Sequence, residues 1–111
     1  MSVQLIRGTT PRITCRIPGD LTETHLFFSV GPENRHTWFT VGHERMTVDY
    51  DSAENETAIV FTLTQKETCA CKAGKAYAQF RAVDVSGNGM ASNKIEVEIV
   101  DVIKDGVISY A

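Results

Sequence analysis

Much of what usually betrays a function is missing from this chain. Its 111 residues hold only three cysteines, an odd number that argues against a complete disulfide framework. Residues 1–12 contain no apolar core of the kind a secretory signal requires. No apolar run approaches the ~20 residues needed to span a bilayer, so the chain is expected to be made in the cytoplasm and to stay soluble. Lysines and arginines are scattered singly and the net charge is −3, which gives no nucleic-acid footprint. There is no internal repeat, no low-complexity segment and no composition shift marking a domain boundary. What is present is ordinary globular material, 42% hydrophobic and 23% charged. The length suffices for a core without disulfides or a metal, and residues 1–111 are expected to form a single domain.

The strongest signal is residues 75–101. Ala76, Ala78, Phe80 and Ala82 alternate with Lys75, Tyr77, Gln79 and Arg81; further on, Ile95, Val97 and Ile99 alternate with Lys94, Glu96 and Glu98. Successive side chains of a strand point to opposite faces, so this period of two describes two half-buried strands. Asn88-Gly89 between them suits a tight hairpin turn. Folding about that turn sets Phe80 opposite Val97, Ala78 opposite Ile99, Ala82 opposite Ile95 and Arg81 opposite Glu96, which joins apolar to apolar and opposite charges to each other.

The rest of the chain reads as shorter strands. Residues 3–7 form a short edge strand and residues 12–17 a strand with Ile13, Cys15 and Ile17 on one face. In residues 25–30, Leu26, Phe28 and Val30 point inward and Phe27 outward. A polar loop over residues 31–36 leads into a strand over residues 37–41. Met46, Val48 and Tyr50 alternate in the next, and Ile59, Phe61 and Leu63 face inward in the one after. Thr64-Gln65-Lys66-Glu67 fits a capping box opening a helix of at most two or three turns, with Gly74 suited to its C-terminus. Short strands with turns at such intervals indicate a β-sandwich or small barrel.

Candidate sites reduce mostly to local structure. Cys69 and Cys71 on a short helix splay their thiols roughly 200° apart at 100° per residue, and Cys15 lies on an apolar strand face, so all three read as packing residues rather than zinc ligands. No motif joins a thiol to His25, His36 or His43 as a base, and no catalytic residue is assigned. Asp84, Ser86, Asn88 and Gly89 copy the start of a calcium loop, but Ile95 stands at its twelfth position and the residues are those any hairpin turn prefers. Asp49, Asp51, Glu54 and Glu56 read as a solvated acidic loop. Asn55-Glu56-Thr57 matches a glycosylation acceptor, idle without export. No metal and no cofactor is expected. Two interaction candidates remain. Phe27 and Trp38 fall opposite the core-facing residues of neighbouring strands, where clustered aromatics mark contact surfaces, unless a second sheet covers that face and the alternation is off by one on one of the two strands. Near the C-terminus, Ile103, Val107, Ile108 and Tyr110 are too apolar for a free tail. They would either tuck back as a final edge strand or add to a neighbouring chain's open sheet edge.

Two resemblances add to this. The helical turn, Gly74-Lys75, the strand through Phe80 to Val83 and the loop over residues 84–89 resemble the last two strands of immunoglobulin-like domains. Tyr77 resembles their tyrosine-corner residue, although the alternation puts Ala78 and Phe80 inside. Arg7-Gly8-Thr9-Thr10-Pro11, then Phe61-Thr62-Leu63-Thr64-Gln65-Lys66-Glu67-Thr68, Ala91-Ser92-Asn93 and Ile103-Lys104-Asp105-Gly106-Val107-Ile108 occur in the same order in small proteins encoded by bacteriophages and prophages of Gram-positive bacteria. Over nearly its whole length the chain resembles that family, with Cys69-Ala70-Cys71 replacing aliphatic residues. The strand pattern and the immunoglobulin-like resemblance together lead to an all-β, immunoglobulin-like sandwich of about seven to eight antiparallel strands with one short helix. The phage resemblance implies a structural or assembly role in the tail or baseplate region, read as non-enzymatic because the sequence offers no acid–base or nucleophile constellation. Other phage structural proteins, and further copies of the chain, would be the partners, with no nucleic acid and no membrane. The location would be the host cytoplasm and then the virion. The alternative is a carbohydrate- or host-surface-binding module presenting Trp38 in a concave patch.

Overall fold

The computed structural model describes residues 3–32 and 36–110. Glu33, Asn34 and Arg35 of the expected polar loop, and Ala111 of the tail, lie outside the described residues. In order, the elements are β1 (Val3–Ile6), β2 (Arg12–Pro18), β3 (Thr24–Gly31), β4 (Phe39–Val41), a 3-10 turn (His43–Arg45), β5 (Thr47–Asp51), β6 (Glu56–Thr62), α1 (Gln65–Cys69), β7 (Gly74–Asp84), β8 (Gly89–Ala91) and β9 (Ile95–Val100). They form two sheets. The larger runs β1-β9-β7-β3-β4, with β8 also paired to β7; the smaller runs β2-β6-β5. Every ladder is antiparallel except β1 with β9, which is parallel. No described helix is long and apolar enough to cross a membrane.

The inward faces of both sheets supply one core. Leu26, Phe28 and Val30 of β3, Ala76, Ala78 and Phe80 of β7, and Val97 and Ile99 of β9 meet Ile59 and Phe61 of β6 and the following Leu63. Phe28 and Phe80 are directly paired across β3 and β7. Both rings lie 5.0 Å or 6.2 Å, centre to centre, from Phe61 of the other sheet, at the tilted and edge-on angles that aromatic quadrupoles favour. This trio ties the two sheets together.

Faces were legible; the register of the last two strands was not. β7 and β9 pair Ala78 with Ile95, Ala76 with Val97 and Gly74 with Ile99, four residues from the expected register. An even shift leaves every side chain on its face, so the apolar pattern cannot distinguish the two. The tight turn is not at Asn88-Gly89 but spans residues 84–88. Gly87 there has φ +85°, and the Asp84 carboxylate accepts bonds from the amides of Ser86 and Asn88, both at 2.9 Å. β8 then pairs Val83 with Gly89 and Arg81 with Ala91. Between that ladder and β9, residues 92–94 oppose only Gln79 and Phe80, so one extra residue is accommodated as a bulge. Ser92 secures it: its Oγ accepts from the Phe80 amide at 3.0 Å and its amide donates to the Phe80 carbonyl at 2.9 Å. The extra residue reverses the parity set by β8, and that is why Val97 and Ile99 point into the core.

The helix has its full capping box, with Thr64 Oγ1 accepting from the Glu67 amide and the Glu67 carboxylate accepting from the Thr64 amide. It spans five residues, within the length expected, and its C-cap is Ala70. Gly74 therefore does not cap it; at φ +120° it opens β7 instead. Tyr77 faces outward between Gly31 and Glu96 on the flanking strands, with the Lys75 ammonium 5.9 Å from its ring centre, and forms no tyrosine corner.

Candidate functional site

Arg7, one residue beyond β1, gathers parts of the chain that are distant in sequence. Its Nε donates to the Cys71 carbonyl and its Nη2 to the Cys69 carbonyl, both at 2.9 Å, so the guanidinium caps the end of α1. The same fork pairs with Asp101 at 2.7 Å and Asp105 at 3.0 Å. The Asp101 hydrogen bond chiefly raises the Arg7 pKa, and the same bond holds the Asp101 carboxyl below its ordinary value. A planar fork of fixed donors suits this task, which lysine's point charge does not. Beside it, Thr68 Oγ1 donates to the Thr9 carbonyl at 2.8 Å, and the Leu63 amide donates to the Pro11 carbonyl at 3.0 Å. Arg45 adds a brace, its guanidinium forked on Glu67 and bonded to the Thr62 carbonyl at 2.8 Å.

From this hub the tail emerges. It forms no final edge strand, since no strand follows β9 among the described residues. Instead the side-chain amide of Gln65 grips the backbone of Ile108, accepting from its N–H at 2.8 Å and donating to its C=O at 3.2 Å. That two-point grip copies what an opposing residue does in a hydrogen-bonded strand pair. The apolar side chains gain little from it: Ile103 and Tyr110 are fully exposed, Val107 is 61% exposed and Ile108 55%.

The two aromatic candidates are not brought together. Phe27 does lie on the outer face of β3, opposite Arg81 of β7 and about one-third exposed. Trp38, just before β4, is partly buried and packs against the core. The parity expected of it fails because Trp38 precedes the regular ladder, which begins at Phe39. Phe27 instead borders a depression of about 570 Å³ on the outer face of the larger sheet. Ser29, Thr37, Thr40 and Arg81 share it with the glycines of the 84–89 turn.

The remaining candidates are absorbed by structure. Cys71 is buried in the core, its thiol pushed up to about 11 by burial; Cys15 and Cys69 are partly buried, and all three thiols are free. Among the described residues no three His, Cys, Asp or Glu side chains are placed to share a metal ion. The His25 and His43 rings stack at 4.6 Å, and His43 Nδ1 is buried without a hydrogen-bond partner among the described residues. Thr57 of the glycosylation match is wholly buried, its hydroxyl bonded to Gly19 and Leu21. Sequence reasoning missed Arg7, Gln65, Asp101 and Asp105 as a unit. Arg7 and Asp105 stand inside two of the resembling segments, but the pairing between them spans almost the whole chain and no local pattern carries it. Compared with known proteins, the chain matches no family model and no curated protein.

Proposed function

We propose that the chain is an immunoglobulin-like sandwich serving as a non-enzymatic structural or assembly protein of a bacteriophage or prophage particle, in the tail or baseplate region. It works through protein–protein contacts. The sandwich reading is supported by the strand order, with a parallel first strand along the last strand of the larger sheet and three strands opposite. One observation carries the functional reading. Three segments that resemble the phage family, around Arg7, Thr64 to Thr68, and Ile103 to Ile108, meet in the hub and hold out an apolar tail. Segments that bind one another at one structural end support an architectural role for that end. Deleting residues 107–111 is expected to lower self-association or assembly while the thermal transition stays in place. An oligomer mass unchanged by light scattering counts against it. Phage context is tested separately: mass spectrometry of purified particles induced from a host carrying the gene should find the chain, and particles lacking it overturn that part.

A carbohydrate-binding reading has one observation in its favour, the depression beside Phe27 with its hydroxyls and Arg81. It predicts glycan-array or cell-wall binding that Phe27→Ala removes; the patch is built on Phe27, not Trp38.

A further inference from the structure

The centre of the larger sheet offers side chains rather than backbone. β3 lies between β4 and β7, and β7 between β3 and β9, so neither presents an edge to an added strand. Two depressions adjoin on its outer face. The one beside Phe27, of about 570 Å³, and a second of about 240 Å³ share Ser29 and Thr37. The second extends the surface to Tyr77, Gln79 and Lys94. Phe27 is paired with Arg81 and Tyr77 with Gly31, which sets the two aromatic residues four positions apart along the ladder, about 13–14 Å. A ligand that touches both is longer than a single sugar ring.

Between the aromatics lie hydroxyls and one amide. Ser29 and Thr40 bond to each other at 2.9 Å, and each keeps further hydrogen-bonding capacity. The Gln79 amide nitrogen donates to the Ser92 carbonyl at 2.8 Å, which leaves its oxygen as an acceptor. Charge narrows the class of ligand. The described walls of the two depressions carry two cations, Arg81 and Lys94, and no carboxylate, although the net charge of the chain is −3. Arg81 is exposed and, among the described residues, forms no ion pair and no hydrogen bond. The neighbouring carboxylates are engaged elsewhere. Glu96, opposite Tyr77, pairs with Lys75 at 3.7 Å, and Asp84 collects the amides of Ser86 and Asn88 at 2.9 Å. Arginine's planar fork takes a carboxylate through two parallel bonds, and here that fork is open.

We propose that the outer face of the larger sheet binds a uronic-acid oligosaccharide, with sugar rings against Phe27 and Tyr77 and a carboxylate on Arg81. The proposal rests on the carbohydrate-binding reading and adds the class of ligand; it is independent of the assembly role. Pyranose rings bring C–H faces to the aromatics and hydroxyls to Ser29, Thr40 and Gln79. A polyol phosphate has the charge but no ring face, and a nucleic-acid strand calls for a longer track of cations than two.

The full-length chain is tested on a glycan array of uronic-acid and neutral oligosaccharides. It is then titrated calorimetrically with tetragalacturonate, a hyaluronan hexasaccharide, neutral cellotetraose, polyglycerol phosphate and a single-stranded thymidine oligonucleotide. A uronate is expected to bind about tenfold more tightly than the neutral chain. Arg81→Gln should bring that affinity down to the neutral level, and raising the salt from about 50 to about 500 mM should do the same. Arg81→Lys, which keeps the charge without the fork, should recover only part of it. Phe27→Ala should weaken acidic and neutral glycans alike, with the thermal transition unchanged in each variant. Uronate binding that ignores both Arg81→Gln and salt overturns the proposal. So does tighter binding of polyglycerol phosphate or of the oligonucleotide. Equal binding of neutral and acidic glycans, still lost in Phe27→Ala, overturns the acidic ligand and leaves the carbohydrate reading standing. An array on which no glycan binds, acidic or neutral, overturns both.

Discussion

Thr57 shows how much one hydroxyl can be asked to do. It is fully buried, donates to the Gly19 carbonyl at 2.6 Å and accepts from the Leu21 amide at 2.9 Å, closing the turn between β2 and β3 against β6. Thr57→Val keeps the shape and leaves both backbone groups unpaired, so urea unfolding should show a loss of about 2 kcal/mol. Glu67 is the corresponding charged case. Its carboxyl is held below its ordinary value of 4.5, first by the Arg45 hydrogen bond and then by the Thr64 contacts, against the opposing effect of burial. A depressed folded value means that Glu67 adds stability above pH 4.5, lost as the pH falls through the lower folded value. Glu67→Gln retains an N3 residue that can serve the capping box but removes the charge, so its melting temperature should fall less than the parent's on acidification below pH 4.5. Equal acid slopes for parent and variant would show that Glu67 does not carry this dependence.

At the scale of elements, the β7–β8 turn offers the cleanest distinction between what pattern suggests and what the chain does. Gly87 has φ +85°, where a Cβ meets no neighbour but the backbone itself is unfavourable for an L residue. Gly89 has no such φ and open space around it. Gly87→Ala should therefore cost about 1 kcal/mol and Gly89→Ala close to nothing by chemical denaturation. The reverse order would restore the turn to Asn88-Gly89. The turn was misplaced in the sequence because Asp, Ser, Asn and Gly crowd residues 84–89, each acceptable in a turn, and because the Asp84 carboxylate collects amides from two of them. That collection also lowers the Asp84 pKa, with the Asn88 amide as the largest cause, and it is turn chemistry. The helix start was plain from four residues because a capping box is wholly local; the helix end was not, since Arg7 takes the Cys69 and Cys71 carbonyls from across the molecule.

For the molecule as a whole, the two-sheet arrangement explains where surfaces are left over. The larger sheet has a wet outer face carrying Phe27 and its depression, and the smaller one has an outermost strand whose apolar side is half covered. The tail returns to the hub through ion pairs and one amide grip without burying its apolar residues. Alternation along each strand was enough to identify the inward residues Leu26, Phe28, Val30, Ile59, Phe61, Leu63, Ala76, Ala78, Phe80, Val97 and Ile99, because a period of two is a property of the strand alone. Register, the bulge at residues 92–94, the burial of Trp38 and the meeting of Arg7 with Asp101 and Asp105 were decided only on folding. Each depends on which strand lies beside which, and an even shift such as the four residues between β7 and β9, or a contact across some ninety residues, leaves the local pattern unchanged.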